Sequence, residues 1–218
     1  MKIFDCFMYL DEDVTLDLRL NYLNNIVDKF VIVESKFTHS GKKRELLFDI
    51  KKFKNFKDKI IYLVLDHEPP GIEKISKHDN KDKKNSKYIL NGMKRDFYQR
   101  NFIINGLKES ADNDLILISD LDEIPKLDNI DLHSTKDKFV FFKQKMFYYK
   151  LNLFYKELIW SGSRACIKNK LRSPQWLRNI KNKKYPIWRF DTLFSNNKYK
   201  EIEFVKDGGW HFTNMKNP

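Results

Sequence analysis

Apolar and polar residues follow two different periods along the first half of the chain. Short apolar runs predict four strands, at residues 2–10, 29–35, 58–66 and 114–120, and the second of them is rich in β-branched residues. Apolar residues at helical spacing predict two helices, at residues 13–27 and 90–110. This order is typical of an α/β fold with a mostly parallel central sheet flanked by helices.

The second half of the chain has a different pattern, which predicts a smaller antiparallel part. Residues 138–154 alternate in part between apolar and polar, as expected for antiparallel strands or a long hairpin. Residues 201–212 predict another strand, with Gly208 and Gly209 making a turn just before His211.

One polar segment separates the third strand from the second helix. Residues 73–87 are rich in Lys, Asp and Glu, and Ile75 is their only apolar residue. We expect a solvated loop there rather than a phosphate-binding patch. Since no repeat and no clear linker interrupts the chain, residues 1–218 are interpreted as a single domain.

Composition narrows the class of protein. Eighteen Phe, ten Tyr and four Trp argue against disorder. A formal charge of +12 suggests an acidic partner: nucleic acid, an anionic membrane surface or a phosphorylated small molecule. The alternative is that the lysines, which are scattered along the chain, reflect only a biased composition.

The cysteines and the start of the chain indicate in which cellular compartment the protein is expected. Cys6 and Cys166 are too few and too far apart in sequence for a disulfide framework or a zinc site. Acidic residues occur too early for a signal peptide, and no apolar run approaches the roughly 20 residues of a spanning helix. We expect a soluble protein of the cytoplasm without a transmembrane segment, for which peripheral membrane contact stays open.

Three carboxylates follow the fourth predicted strand, in the sequence "ISDLDEIP". Ligands bind at the carboxyl ends of strands in open parallel sheets, where Asp120 and Asp122 would lie, while Leu121 packs into the core. Carboxylates and substrate phosphates together are what Mg²⁺ usually binds. An Asp-x-Asp pair in this place predicts a metal–diphosphate site, and the alternative is a solvated turn. His211, presented by the glycine turn, is a candidate third metal ligand or else a structural histidine.

These motifs together resemble glycosyltransferase family 17, which includes an N-acetylglucosaminyltransferase acting on the core mannose of N-glycans. The resemblance runs from about residue 3 to 213 and rests on motifs in the family's order: "VIVESKFTHSG", "LVLDHEPPG", "LILISDLDEIP", "WSG" and "GGWHF". It implies a GT-A-type, Rossmann-like fold. Residues 1–125 would be the nucleotide-sugar-binding half and residues 126–218 the acceptor-side half.

The resemblance also implies a donor and a metal site. Asp120 and Asp122 would hold Mn²⁺ or Mg²⁺ and the ribose–diphosphate of a UDP-sugar, with UDP-N-acetylglucosamine as the expected donor. His211 would complete the metal site.

Three further residues are candidates for donor binding. Glu34 ends the second strand, where GT-A folds commonly contact the nucleoside; otherwise it is an exposed strand end. Arg95 and Arg100 lie on the helix before the metal strand, and a guanidinium suits a diphosphate. The alternative for each arginine is a surface salt bridge.

Members of the family transfer sugars with inversion, which requires a general base for the acceptor hydroxyl. Asp191, in "WRFDT", is the candidate, and Glu123 is the alternative. For Glu123 we favour a structural role in fixing the "DEIP" turn. The aromatic stretch "MFYYKLNLFY" and Trp160 either line an acceptor groove for a glycan or belong to the core.

Two other functions remain open. A metal-dependent phosphoryl or nucleotidyl transferase would also use paired carboxylates, but neither a Gly-rich phosphate loop nor a third carboxylate set is found. A non-catalytic nucleic-acid-binding protein would need the basic residues clustered on one face. The scattered lysines speak against that second alternative.

Overall fold

The computed structural model describes residues 1–128, 130–131, 138–186, 188–189, 192 and 194–215. Within them, one nine-stranded sheet forms the centre of the molecule. Its strands are β1 Ile3–Tyr9, β2 Lys29–Ser35, β3 Ile60–Leu65, β4 Leu115–Ile118, β5 Glu123–Pro125, β6 Phe139–Tyr148, β7 Phe154–Ile167, β8 Ile202–Val205 and β9 Gly209–Thr213.

Three α-helices and three short 3-10 helices connect these strands in the described part of the chain. The α-helices are α1 Asp13–Leu23, α2 Lys81–Phe102 and α3 Pro174–Asn179, and the 3-10 segments are Ile50–Phe56, Ile103–Leu107 and Lys168–Lys170.

The sheet is mostly parallel, with an antiparallel part contributed by the second half of the chain. Its order is β3-β2-β1-β4-β7-β6-β9-β5, and β8 pairs with β6. Strands β3, β2, β1 and β4 run parallel, whereas β7 is antiparallel to both β4 and β6. The predicted α/β class and the antiparallel second half are both confirmed, and the β4–β7 pairing joins the two halves in one sheet.

Apolar side chains cover both faces of the parallel strands. Alternate residues of β1 enter opposite clusters: Phe7 packs with Leu16 and Leu20 of α1, whereas Phe4 packs with Ile103 and Leu177 on the other face. Burial on both faces explains why the parallel strands have nearly continuous apolar sequences rather than alternating ones.

The polar segment 73–87 is where the sequence prediction was wrong. Its last residues are helical, because α2 begins at Lys81 and the Asn80 side chain accepts a hydrogen bond from the Lys83 N–H at 2.8 Å. The first turns of α2 lie on the surface, so no apolar stripe marks them in the sequence. A side-chain cap, rather than apolar burial, marks this helix start.

Both cysteines are free and buried. Burial raises the pKa of the Cys6 thiol well above its usual range and that of Cys166 to about 12, so neither is a reactive thiolate at neutral pH. None of the helices in the described ranges is both long and apolar enough to cross a membrane.

Candidate functional site

A cleft of about 670 Å³ opens at the carboxyl ends of β1 and β4. Ligands of open α/β sheets bind at this edge. Four of the candidate polar residues from the sequence line it: Arg100, Asp120, Asp122 and His211. Trp160 and Arg44 line it as well, and Arg44 was not singled out in the sequence.

The Asp-x-Asp turn projects its two carboxylates from a buried strand. All four residues of β4 are buried, and Leu121 is 4% exposed in the core cluster on the α1 face. The side chains of Asp120 and Asp122, on either side of Leu121, are 36% and 29% exposed. The turn therefore alternates between core and cleft, as the sequence predicted.

A fully buried arginine holds the backbone of this turn. Arg19 Nη1 donates to the carbonyl oxygens of Asp120, Leu121 and Glu123 at 3.1, 3.1 and 2.8 Å. Its Nε and Nη2 atoms donate to the carboxylate of Asp5 at 2.7 and 2.6 Å. Since neither side chain of this ion pair is exposed, the turn is fixed from inside the core.

Asp120 lies between two guanidinium groups. Its Oδ1 accepts from Arg100 at 2.9 Å and its Oδ2 from Arg178 at 3.0 Å. Burial acts to raise the pKa of Asp120, but the charges of Arg178 and Arg100 outweigh it, so the pKa is lowered overall. Asp120 is therefore ionised at neutral pH.

Glu123 has the contacts of a residue that fixes the turn. Its carboxylate is fully buried and accepts from the Asp120 N–H at 3.0 Å and from Trp160 Nε1 at 2.6 Å. Arg178 donates to both of its oxygens, at 2.6 and 2.9 Å. This geometry favours the structural role over that of a general base, which needs an oxygen free to accept the acceptor's proton.

The short "WSG" motif completes this network. Trp160 bonds Glu123, and the carbonyl of Gly162 accepts from Arg178 at 2.7 Å. A Cβ at Gly162 would lie 1.9 Å from Oε1 of Gln144 and 2.8 Å from the Trp160 ring, so a larger residue would have to displace these side chains.

Asp122 and His211 meet at the cleft through the pairing of β5 with β9. Glu123 stands opposite His211 in that ladder, and the Phe212 N–H donates to the Asp122 carbonyl at 2.9 Å. The His211 Nε2 atom lies 3.2 Å from Asp122 Oδ2. The indole of Trp160 packs on the imidazole with ring centroids 4.9 Å apart.

Steric constraints explain the glycine at position 209, two residues before His211. Gly209 has φ of 122°, a conformation that side-chain-bearing residues avoid. A Cβ at Gly209 would lie 2.1 Å from the Ile124 carbonyl oxygen. Glycine at this position lets β9 approach β5 closely enough to bring His211 to Asp122.

The donor set at Asp122 and His211 fits a divalent cation that accepts both oxygen and nitrogen ligands, as Mn²⁺ does. In this structure the His211 Nε2 and Asp122 Oδ2 atoms are within hydrogen-bond distance of each other, and both side chains line the cleft. His211 Nδ1 is buried without a hydrogen-bond partner. Among the residues that the structure describes, no group of three His, Cys, Asp or Glu side chains converges on a metal position.

Glu34 does not line the cleft. Its carboxylate is fully buried and accepts from the N–H groups of Leu47 and Phe48, at 2.8 and 3.1 Å, and from the Tyr62 hydroxyl at 2.7 Å. It also pairs with Arg44 at 3.0 Å. The alternative, an exposed strand end, was wrong. Through these contacts Glu34 holds in place the segment that carries Arg44 to the cleft.

The two arginines of α2 have different surroundings. Arg95 does not line the cleft itself: it pairs with Glu68 at 2.8 and 3.1 Å and donates to the carbonyl of His39, a lining residue, at 3.0 Å. Its guanidinium braces the loop that contains Gly41. Arg100, by contrast, lines the cleft and contacts Asp120.

The remaining predicted positions also differ in whether they line the cleft. Asp191 lies outside the described residues. Trp160 lines the cleft, but the aromatic stretch 146–155 before it does not, and its residues from Tyr149 onward are exposed rather than part of the core.

Sequence reasoning missed Arg19 and Arg178. Arg19 had a detectable signal, because it interrupts the apolar face of α1 between Leu16 and Leu20, where a charged residue needs a buried partner. Arg178 lies on α3 and bonds Asp120, which is 58 positions away in the sequence. No local sequence pattern indicates such a pair.

Comparisons with known proteins agree with the resemblance in the sequence. Residues 1–181 match the family model described as glycosyltransferase family 17. The "GGWHF" motif lies beyond these residues, so the place of His211 rests on its geometry.

Three N-acetylglucosaminyltransferases are similar to part of this chain. The beta-1,4-mannosyl-glycoprotein 4-beta-N-acetylglucosaminyltransferases of Homo sapiens and Rattus norvegicus are each 32% identical to this chain over 123 residues, and that of Mus musculus is 31% identical. Each alignment covers 53% of this chain and 20% of the relative, so the match spans about a fifth of the relatives' length. With the family model matched over most of its length, the chain belongs to glycosyltransferase family 17.

Proposed function

We propose that the protein is a metal-dependent inverting glycosyltransferase. It would transfer a sugar, expected to be N-acetylglucosamine, from a UDP-sugar to a hydroxyl of a glycan acceptor. The observation that carries this proposal is the meeting of Asp122 and His211 at the strand-end cleft of a family 17 chain.

Asp122 and His211 would hold Mn²⁺ or Mg²⁺ together with oxygens of the donor diphosphate. Asp120, expected from the resemblance to share this role, has both oxygens bonded to Arg100 and Arg178. When bound, such an ion offsets the negative charge that develops on the departing UDP. The imidazole favours Mn²⁺ over Mg²⁺, which prefers an all-oxygen shell.

Guanidinium groups supply positive charge on the protein side of the cleft. Arg100 and Arg44 line it, and both already donate to protein oxygens: Arg100 to the carboxylates of Asp96 and Asp120, and Arg44 to that of Glu34. These bonds fix the two guanidiniums before the donor arrives. The arginines would therefore act on the diphosphate through their fixed charge rather than through new bidentate bonds.

Transfer with inversion is a single in-line displacement. The acceptor oxygen forms a bond to the anomeric carbon while the bond from that carbon to the β-phosphate oxygen of UDP breaks, and the hydroxyl proton passes to a base. We propose Asp191 as that base, since the carboxylate of Glu123 is already bonded to Trp160 and Arg178.

Trp160 would position a sugar ring. Its indole lines the cleft beside His211, and the bond from Nε1 to Glu123 fixes its orientation. A fixed aromatic face next to the metal ligands is suited to stacking on the transferred sugar or on the acceptor.

The direct test of this function is release of UDP from a panel of UDP-sugars with Mn²⁺, with and without glycan acceptors. We expect release from UDP-N-acetylglucosamine, loss of release in Asp122→Asn, and retention in Asp128→Asn. Asp128 is a suitable control because it bonds Tyr22 at 2.8 Å and is not a cleft residue. Absence of UDP release from every donor, with Mn²⁺ or Mg²⁺, would overturn the proposal.

A further inference from the structure

The connection between β6 and β7 exposes a cluster of apolar side chains that the cleft does not use. Every residue from Tyr149 to Ile159 is exposed. The exposed fractions of the large apolar side chains range from 37% to 55%, and they belong to Leu151, Leu153, Phe154, Tyr155, Leu158 and Ile159. We call residues 149–159 the hairpin tip.

The hairpin tip is apolar on both of its faces. Successive residues of a strand point to opposite sides, yet the neighbours Leu158 and Ile159 are 37% and 55% exposed, and Phe154 and Tyr155 are 38% and 44% exposed. A folded protein partner would cover one face of a hairpin and leave the other in water. A lipid surface surrounds an inserted tip on all sides, so two-sided exposure favours lipid as the occupant.

The polar residues of the hairpin tip suit the boundary between lipid and water. Tyr149 and Tyr155 have the amphipathic rings that collect at membrane interfaces. Lys150 and Lys156 can reach anionic headgroups while their stems lie along apolar surface. Glu157 is the acidic residue among them, and the whole chain carries a net charge of +12, which favours a negatively charged surface.

Contacts within the hairpin hold its two strands together. The Tyr148 N–H donates to the Leu153 carbonyl at 3.1 Å, and Phe147 and Tyr148 pack against Phe154 and Tyr155 with ring centroids 5.3 and 5.9 Å apart. Cross-strand aromatic pairs of this kind stabilise a hairpin. Docking would therefore require little further ordering of the chain.

We propose that the hairpin tip docks the protein on an anionic lipid bilayer. The docked segment leads directly to the cleft, because Trp160 follows Ile159 in β7 and lines the cleft wall. This inference concerns a surface separate from the metal and donor residues, and it does not depend on the proposed activity.

Sedimentation with vesicles tests the proposal. The probes are vesicles of phosphatidylcholine alone and of phosphatidylcholine with roughly 30–40% phosphatidylglycerol, which makes the vesicle surface anionic. We expect the protein to bind the anionic vesicles, and Leu151→Gln/Leu153→Gln to bind them at least about tenfold more weakly because apolar area is lost. Lys150→Gln/Lys156→Gln should also weaken binding, and added salt should weaken it further.

The matched control is Ile89→Gln/Leu90→Gln, which removes apolar residues that are 64% and 46% exposed on α2. That variant should bind vesicles as the unchanged protein does. Equal binding by the hairpin variant and the unchanged protein, or no binding of the unchanged protein to anionic vesicles, would overturn the proposal.

A second copy of the chain is the rival occupant. A protein that sediments as a dimer without lipid, and becomes a monomer in Leu151→Gln/Leu153→Gln, would show that the hairpin tip serves self-association and would overturn membrane docking. Binding of UDP, measured in the same samples without vesicles, should be unchanged in the hairpin variant. It therefore separates failure of this inference from failure of the proposed function.

Discussion

The His211 Nε2 atom lies 3.2 Å from the Asp122 Oδ2 atom, although 89 positions separate the two residues in sequence. The β5–β9 ladder brings them together, and Trp160 holds the imidazole from one side. The proposed metal site is thus built at a junction of two short strands: β5 follows the Asp-x-Asp turn, and β9 begins at the second glycine of the Gly208–Gly209 pair.

Replacing His211 tests its role as a metal ligand. We expect His211→Ala to raise the Mn²⁺ concentration needed to support UDP binding by at least about tenfold. Titration of Mn²⁺ at fixed UDP, followed by calorimetry, measures this. His67→Ala is the control, because His67 is a surface histidine outside the cleft. An unchanged Mn²⁺ requirement in His211→Ala would remove His211 from the site.

Arg19 should be essential for stability. Arg19→Met leaves the buried Asp5 carboxylate without its partner and three turn carbonyls without their donor, so we expect a loss of about 3–5 kcal/mol in the free energy of unfolding. Urea denaturation followed by circular dichroism measures it. Arg19→Met/Asp5→Leu should recover part of the loss, because the unpaired charge is then gone. A single-variant loss below about 1 kcal/mol would mean that water reaches the Asp5 carboxylate.

Gly209 should tolerate no side chain. Gly209→Ala places a Cβ against the Ile124 carbonyl, and we expect it to lower the free energy of unfolding by about 3 kcal/mol or more and to weaken UDP binding by moving His211.

Gly71→Ala is the matched control, since Gly71 also has positive φ, of 76°, but has open space around it. Its expected loss is about 1–2 kcal/mol, from backbone strain alone. Similar losses in the two variants would show that β9 can shift without disturbing the site.

The proposed base and the turn carboxylate should respond differently to neutralisation. We expect Asp191→Asn to lower kcat by about 10²–10⁴-fold while UDP binding is retained, because only proton transfer is lost. Glu123→Gln should instead lower stability, since it weakens the bonds to Arg178. Unaltered turnover in Asp191→Asn would show that another group takes the proton.

The sequence predicted the parallel strands well because β1, β2 and β4 are buried on both faces and so appear as nearly continuous apolar runs. It also predicted that Asp122 would lie at a strand end and that a glycine turn would present His211, because the flanking apolar run and the glycines are local signals. The start of α2 was missed because a surface helix held by the Asn80 cap has no apolar stripe.

Partners that are distant in sequence were not predictable. Arg178 bonds Asp120 and Glu123 from a helix more than 50 positions away, and Glu34 is buried by contacts with a loop and with β3. Local patterns place a carboxylate at a strand end, but only the folded chain determines whether it faces a ligand or an arginine.

The most direct test of the proposed function is calorimetric titration of UDP into the protein with Mn²⁺, then with EDTA, and again with Asp122→Ala. The proposed site predicts that UDP binds with Mn²⁺ and at least about tenfold more weakly after EDTA or in the variant. UDP binding that is equal in all three conditions, or absent with Mn²⁺, would contradict a metal-dependent UDP-sugar site at Asp122 and His211.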